Sequence, residues 1–298
     1  MMQTRGERTG LKSRSMKQTA FKKIVFALLG TAAFWTAYIP VRDLLRDNPR
    51  TDYYSHIPLI PIVSIFLILR HRKEIFGKTN SLYLPGLLMM AAGPVLYLAG
   101  GSGAADLNDF ASAAALSALL FGAGAFLLLF GRVAFRKAFF PFAFLLFAVP
   151  IPLVVMEKVI SILVIASTAV TRFFFEAIGV PFIQEGAVFH LPDLSIEVAQ
   201  QCSGIRSSLA LLITTVLAGH LFLKKFRSQA ILVLAVFPVA VFKNGVRIVT
   251  LYLLSYFVDM GIIEGGFLHK SGGFIFFGLG LVILGGGLLA LRKLERSP

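Results

Sequence analysis

The chain has 298 residues, of which 57% are hydrophobic and 29 are phenylalanine, and its mean hydropathy is +0.80. This composition excludes a soluble globular domain and indicates a single integral membrane domain of several helices. The net charge of +14 does not indicate nucleic-acid binding, because the basic residues lie in short clusters between apolar runs rather than along one continuous stripe.

Eight apolar runs follow one another along the chain, and each is a predicted membrane span. They lie at residues 22–40, 57–70, 82–100, 110–131, 138–155, 203–223, 229–257 and 271–291. The sequence therefore predicts an all-α integral membrane protein with one domain over 1–298. Its parts are a basic leader (1–21), four N-terminal spans (22–137), a core (138–291) and a tail (292–298).

Five clusters of Lys and Arg predict the orientation of these spans. They precede residue 24 or lie at 70–78, 132–137, 224–227 and 292–296, and an even number of predicted spans separates each from the next. The clusters hold most of the 29 basic residues but few of the 15 acidic ones. By the positive-inside rule, both termini are cytoplasmic, and the first span is an uncleaved signal anchor.

One apolar stretch, 156–180, does not fit this count. Counting it as a span would place either the cluster at Arg136 or the cluster at Lys224 on the wrong side of the membrane. Charged residues near both of its ends favour an interfacial or re-entrant helix on the outer side. The following residues, 181–198, contain Gly and Pro and alternate in polarity, which predicts a short external extended segment.

Three ionisable residues belong to three consecutive spans of this predicted topology. Cys202, the only cysteine, lies at the outer start of the sixth span, Arg247 lies within the seventh, and His269 lies at the outer start of the eighth. An arginine within the bilayer costs about 2.5–3.5 kcal/mol and therefore faces the protein interior. A thiolate nucleophile, an imidazole that carries protons and a guanidinium that holds the oxyanion or substrate together indicate acyl transfer.

Two other residues compete for these roles. Arg206 lies four residues after Cys202, one helical turn along the same face, and could replace Arg247 as the cation beside the thiol. His190 could similarly replace His269. Spacing alone does not choose between the members of each pair.

Polar residues around these positions are candidates for substrate binding or for support of the catalytic groups. Lys243 lies on the same helical face as Arg247, one turn deeper. The other candidates are Gln201, Ser203, Gly204, Arg206 and Asn244. We expect no cofactor and no metal, because the sequence has no His-Glu-x-x-His pattern and its five histidines are scattered.

The seventh span raises a question of depth. If its helix continues unbroken to Phe257, Arg247 lies roughly 15 Å below the outer end of the helix, too deep for Cys202 at the rim. Either a water-filled funnel enters the outer leaflet, or the helix is interrupted near Asn244 and Gly245. We expect the funnel, because an intramembrane arginine needs hydration.

Four motifs in order along the chain resemble the signature of the exosortase and archaeosortase family, a resemblance that covers roughly residues 140–290. They are Leu146-Phe-Ala-Val-Pro150-Ile-Pro152, Glu197-Val-Ala-Gln-Gln-Cys202-Ser-Gly-Ile-Arg206-Ser-Ser, Asn244-Gly-Val-Arg247-Ile and His269-Lys-Ser-Gly-Gly273.

The resemblance implies a multi-pass cysteine transpeptidase of the bacterial inner membrane with its active site on the periplasmic side. Its substrates would be exported proteins with a C-terminal signal made of a short motif, often Pro-Glu-Pro, a transmembrane helix and a basic tail. By the same resemblance Cys202 is the nucleophile, Arg247 the substrate or transition-state arginine and His269 the proton carrier. The acceptor is an unidentified amine, the other partner is membrane lipid, and no nucleic acid is expected.

Two functions other than transpeptidation, solute transport and intramembrane proteolysis, are also compatible with these residues. A transporter could bind an anionic solute at Lys243 and Arg247, and its transport would survive a Cys202→Ala change. An intramembrane cysteine protease would use the same nucleophile but release its product to water. Analysis of the product separates hydrolysis from transpeptidation.

Overall fold

The computed structural model describes residues 3–47, 51–77, 82–103, 106–192, 194–198, 204–257 and 267–296, without the side chains of 3–17, 47, 51–52 and 267–272. These residues form ten α-helices and three short strands, which confirms the predicted all-α class. The chain divides into two compact units, Met1–Leu153 and Val154–Pro298.

The first unit holds five helices. They are α1 (Gln3–Asp47), α2 (Leu59–Arg70), α3 (Arg72–Ile75), α4 (Tyr83–Gly103) and α5 (Leu107–Phe144). The second unit holds five helices and a small sheet. Its elements are α6 (Leu153–Ala177), β1 (Ile183–Glu185), β2 (Val188–His190), β3 (Ser195–Glu197), α7 (Ile205–Phe222), α8 (Phe226–Leu234), α9 (Val236–Phe257) and α10 (Phe267–Arg296).

Seven helical segments of the described residues are long and apolar enough to cross a membrane. They are Gln18–Arg46, Tyr83–Gly103, Leu107–Ala148, Leu153–Ala177, Ile205–Phe222, Phe226–Phe257 and Gly273–Arg296. The predicted second span forms the shorter apolar helix Leu59–Arg70. The protein is therefore a multi-pass membrane protein, as predicted.

The segment Leu107–Ala148 contains two of the predicted spans because the chain reverses within it. The rings of Phe126 and Phe142 are 5.1 Å apart, whereas sixteen residues of a straight helix would separate them by about 24 Å. Gly131 stands at the reversal with a φ of 82°, a backbone conformation that glycine adopts at little cost. Residues 107–130 and the stretch after Gly131 therefore form a helical hairpin.

Glycines let α4 approach this hairpin closely. Gly86, Gly93 and Gly100 are spaced by seven residues on α4, so they lie on one face. A methyl group on Gly93 would lie 2.8 Å from the carbonyl oxygen of Ser117 on α5, and the Ser117 hydroxyl donates a hydrogen bond to the Gly93 carbonyl at 2.6 Å. Small residues and an interhelical hydrogen bond are the usual means by which helices associate in membranes.

Side chains of α5 hold the two-proline motif that ends this unit. Pro150 and Pro152 have no N–H to donate, so the segment between them needs partners from elsewhere. The Asn108 amide donates to the Ile151 carbonyl at 2.8 Å, and an Asp109 carboxylate oxygen accepts from the Leu153 N–H at 2.9 Å. Residues 151–153 are thereby fixed to the start of α5.

In the second unit α6 runs parallel to α9. Ser167 bonds to Asn244 at 3.0 Å, and eight residues further along both helices Phe175 stacks edge-on against Tyr252 at 5.3 Å. The structure differs here from the interfacial or re-entrant helix expected for 156–180, because α6 lies alongside α9 and is itself long and apolar enough to cross. The charges near its ends are compatible with either arrangement.

Helices α7 and α10 run antiparallel to α9. Leu211 packs against Val236, and both pack against Leu284. At the end where α7 and α10 finish, a Glu295 carboxylate accepts the backbone N–H groups of Lys224 and Lys225 at 2.8 and 2.9 Å. Most of the basic residues of this unit's two C-terminal clusters gather there, and we call it the basic end.

The three strands form an antiparallel sheet in the order β1-β2-β3, which confirms an extended segment within 181–198. Ile183 pairs with His190 and Phe189 with Ile196. The fully buried Phe189 ring packs against Phe175 of α6 at 5.4 Å, so the sheet covers the ends of α6 and α9 opposite the basic end.

Candidate active site

The site forms where α7 begins. Gly204 precedes α7 with a φ of 72°, a left-handed conformation that a side chain would strain. Its carbonyl accepts the Ser208 N–H at 2.9 Å and the hydroxyls of Ser207 and Ser208 at 3.0 and 2.8 Å. Four polar groups thus define the first turn of the helix that follows Cys202 in the sequence.

Two adjacent residues of α9 connect this turn to a third helix. The Lys243 ammonium donates a hydrogen bond to the Ser207 hydroxyl at 2.6 Å, and the Asn244 amide donates to the Ser167 hydroxyl of α6 at 3.0 Å. Lys243 is 2% exposed and Asn244 is 1% exposed. Because buried polar groups are costly without partners, these bonds fix α6, α7 and α9 relative to one another.

Gly204 itself lies against this pair. A methyl group on Gly204 would stand 3.1 Å from the Asn244 side-chain oxygen and 3.5 Å from the Lys243 nitrogen. Cys202, Gln201 and Ser203 lie outside the described residues. Since two peptide units extend at most about 7.6 Å, the Cα of Cys202 is within about 8 Å of the Gly204 Cα in any conformation.

Arg247 lies one turn beyond Lys243 on the same helix. It is partly buried, and it is close enough to Lys243 for the two cations to interact electrostatically. Helix α9 is continuous from Val236 to Phe257, so the interruption considered near Asn244 and Gly245 is absent.

The level at which α7 begins answers the question of depth. The eighteen residues of α7 rise about 27 Å from the basic end to Gly204, and the path along α8 and α9 from Phe226 to Arg247 rises roughly 32 Å. The starting residue of α7 therefore lies near the level of Arg247 and not at the level of Phe257. A funnel descending from a rim at Phe257 is not needed to bring Gly204 and Arg247 to one level.

The third candidate catalytic residue, His269, lies further from the basic end than Arg247. His269 is in the first turn of α10, and its side chain is outside the described part of the chain. A methyl group on Gly280 of α10 would lie 3.4 Å from a Lys243 side-chain carbon, which aligns the two helices. Counting back from Gly280 places the backbone of His269 about 10 Å beyond the level of Arg247.

The two competing residues occupy different surroundings. Arg206 is exposed in the first turn of α7. His190 lies on β2, where its Nδ1 is 2.9 Å from the Ser195 hydroxyl and its Nε2 is 3.6 Å from a Glu185 carboxylate oxygen. The preference for Arg247 and His269 stays a prediction.

Sequence reasoning missed Ser167 and Ser207. Ser167 belongs to a face of α6 that also carries the buried Thr168 and Thr171, and three hydroxyls on one face of an apolar helix are the signal that could have revealed it. Ser207 was noted only as part of the motif that contains Cys202.

Within the described ranges, no group of three or more His, Cys, Asp or Glu side chains could hold a metal ion.

The fold and the site define a multi-pass membrane protein with a buried polar cluster where α7 begins. The model of the transmembrane exosortase family matches residues 48–286, and the chain belongs to that family. The matched region contains Cys202, Arg247 and His269. No curated protein and no solved structure matches the chain significantly. Membership indicates a membrane transpeptidase that acts in the sorting of exported proteins.

Proposed function

We propose that this protein is a membrane-embedded cysteine transpeptidase that cleaves a C-terminal sorting signal from exported proteins. The Cys202 thiolate attacks a substrate carbonyl carbon, the peptide C–N bond breaks, and His269 gives a proton to the departing amine. An acceptor amine then attacks the thioester carbonyl carbon and gives its proton to His269, and the new amide bond forms as the Cys202 thiolate leaves. Arg247 holds the oxyanion or the substrate backbone during both steps.

The observation that carries this proposal is the placement of Gly204. Two residues after the only cysteine, the chain lies against Lys243 and Asn244, one helical turn from Arg247. A thiol near two cations has a lowered pKa and a larger thiolate fraction, as a cysteine nucleophile requires.

The lengths of the helices support a site at the outer interface. With the basic end in the cytoplasm, as the positive-inside rule assigns it, Gly204 and Arg247 lie about 27–32 Å away, close to the roughly 30 Å thickness of the hydrocarbon core. A peptide motif outside the membrane and a hydrated acceptor amine both reach that level. In a bacterium this is the periplasmic face of the inner membrane.

The same geometry suits a tripartite signal. A substrate helix that crosses beside this unit would put its basic tail at the cytoplasmic face and its preceding short motif at the level of Cys202. Pro-Glu-Pro is the motif that we expect, and the negatively charged glutamate is complementary to Lys243 and Arg247.

The test follows a tail-anchored candidate substrate in cells that express the wild type or the Cys202→Ala, Arg247→Ala or His269→Ala variants. We expect shortening of the substrate in the wild type and a loss of at least about 100-fold in each variant, since each change removes a group that acts in the transition state. His190→Ala is the matched control for His269→Ala and should retain activity within a few-fold.

A membrane-impermeant maleimide provides the test of sidedness. Because Cys202 is the only cysteine, any label on intact spheroplasts reports that residue alone. Labelling only after the membrane is permeabilised, or shortening of the substrate by Cys202→Ala, would refute the proposal. The mass of the shortened product, with or without an added amine, distinguishes transpeptidation from hydrolysis.

A further inference from the structure

A chain of hydrogen bonds runs from a buried cation to the turn that follows Cys202. The Lys243 ammonium donates to the Ser207 hydroxyl at 2.6 Å, and that hydroxyl donates to the Gly204 carbonyl at 3.0 Å. The serine hydroxyl has one proton, which is directed to Gly204 while the lysine occupies an acceptor position. Ser207 is thus held in one orientation from both sides.

The hydrogen bonds of Ser208, in the same turn, can be compared with those of Ser207. Its hydroxyl also donates to the Gly204 carbonyl, at 2.8 Å, but the Lys243 ammonium bonds to Ser207. The Ser208 N–H supplies the same carbonyl with a further partner at 2.9 Å. The two serines therefore share a contact within the turn, and Ser207 alone of the two has a bond to α9.

A buried lysine connects two helices at a higher cost in free energy than a buried apolar side chain. Lys243 is 2% exposed, and an ammonium loses far more hydration on burial than an apolar side chain of similar length. Asn244 already links α9 to α6, and Leu211 packs α7 against the neighbouring helices. Packing alone does not require a charge at this position.

We propose that Lys243 is a positioning residue for Cys202, acting through Ser207. The bond fixes the first turn of α7, and with it the point from which residues 201–203 depart. The bond also keeps the Lys243 ammonium close to Cys202. The Lys243 nitrogen is 3.5 Å from a methyl group on Gly204, and two peptide units separate Gly204 from Cys202, so the charge is within about 13 Å of the Cys202 Cα. This inference rests on the proposed role of Cys202 as nucleophile.

The charged groups around this turn come from several elements. Helix α9 contributes Lys243 and Arg247, α7 contributes Arg206, and His269 stands in the first turn of α10. At the level of Gly204, α6 contributes the neutral Ser167. Lys243 bonds directly to the turn through the Ser207 hydroxyl.

The test measures the rate at which a small neutral alkylating reagent modifies Cys202 in the full-length purified protein across a range of pH. A unit charge about 13 Å from a thiol, at an effective dielectric constant of 20, shifts the thiol pKa by about one unit. Lys243→Met should therefore raise the midpoint pH by about one unit and slow alkylation at neutral pH by about five- to ten-fold.

The serine variants separate positioning from a general effect on the helix. Ser207→Ala should slow alkylation by about three-fold or more, because the ammonium and the turn lose their connection, and Ser207→Thr should restore the rate by restoring the hydroxyl. Ser208→Ala is the matched control and should stay within about two-fold of the wild type.

Two results would overturn the inference. One is an unchanged midpoint in Lys243→Met, and the other is an equal loss in Ser207→Ala and Ser208→Ala. If Lys243→Met does not fold, the serine comparison decides alone. Because alkylation needs no substrate, normal alkylation responses without substrate processing would count against transpeptidation and leave this inference standing.

Discussion

Replacement of Gly245 by alanine tests whether the approach of α6 to α9 positions the site. A methyl group on Gly245 would lie 2.6 Å from Cγ1 and 3.2 Å from Cβ of Val170 on α6, and 3.4 Å from a ring carbon of Phe174. Carbon atoms in contact prefer about 3.5–4.0 Å. A valine in a helix has one strongly preferred rotamer, so the helices must move apart by about 1 Å.

The expected loss follows from two terms. Overpacking in a close-packed interface costs about 1–3 kcal/mol. Separation of the helices also weakens the bond between Asn244 and Ser167, which is worth about 0.5–1.5 kcal/mol. The higher helix propensity of alanine offsets up to about 1 kcal/mol of this loss of stability. We therefore expect Gly245→Ala to lower the free energy of unfolding by about 1–3 kcal/mol.

Equilibrium unfolding in detergent micelles measures this loss, and substrate processing measures its effect on the site. The double variant Gly245→Ala with Val170→Ala should recover most of the difference, since it removes the carbon that the new methyl group meets. Gly278→Ala on α10 is the control, because nothing lies within 4 Å of a methyl group there. A Gly245→Ala protein as stable as Gly278→Ala, or no recovery in the double variant, would refute the reasoning.

Two other substitutions test the turn at Gly204 and the two-proline motif. Gly204→Ala should cost about 1–2 kcal/mol for its left-handed backbone and reduce substrate processing further, because the methyl group meets Asn244 at 3.1 Å; thermal unfolding and processing assays check both effects. Asn108→Leu should cost about 1–3 kcal/mol in the same unfolding assay, because it removes the amide that donates to the Ile151 carbonyl and accepts from the Tyr54 hydroxyl.

Each of these two predictions has its own control. Gly179→Ala has a similar φ of 73° but nothing within 4 Å, so it should share the loss of stability of Gly204→Ala and keep full processing. Equal processing losses in both variants would contradict a role for the contact with Asn244. For the motif, Thr31→Ala removes an exposed hydroxyl that bonds within its own helix and should change stability by less than about 0.5 kcal/mol. A similarly small change in stability in Asn108→Leu would contradict a stabilising role for the Asn108 amide.

Hydropathy predicted the membrane-spanning segments well because the bilayer imposes a local rule. Each span needs a run of apolar residues of a set length, which the printed sequence displays directly. Each of the eight predicted segments overlaps at least one helix. Charge clusters gave a weaker prediction for 156–180, because counting crossings assigns a side to each cluster without information on which helices are neighbours. Packing of Phe175 on Tyr252 shows α6 beside α9.

The candidate site was predictable in its residue types and not in its geometry. Arg247 and Lys243 are visible as charges in an apolar run, and the motifs around Cys202 and His269 name the family. Ser167, however, is one of several hydroxyls in α6, and only its contact with Asn244 distinguishes it. The depth problem arose because the sequence placed Cys202 at the end of α9, whereas Gly204 packs beside Asn244.

The sequence by itself determined that this is a multi-pass helical membrane protein of the exosortase type, because composition, span length and motif order are properties of neighbouring residues. The tertiary structure decided where the chain reverses at Gly131, which helix faces α9, and at what level the turn after Cys202 lies. Those features depend on contacts between residues that are tens of positions apart. Their energies come from close packing and buried hydrogen bonds, which no local pattern records.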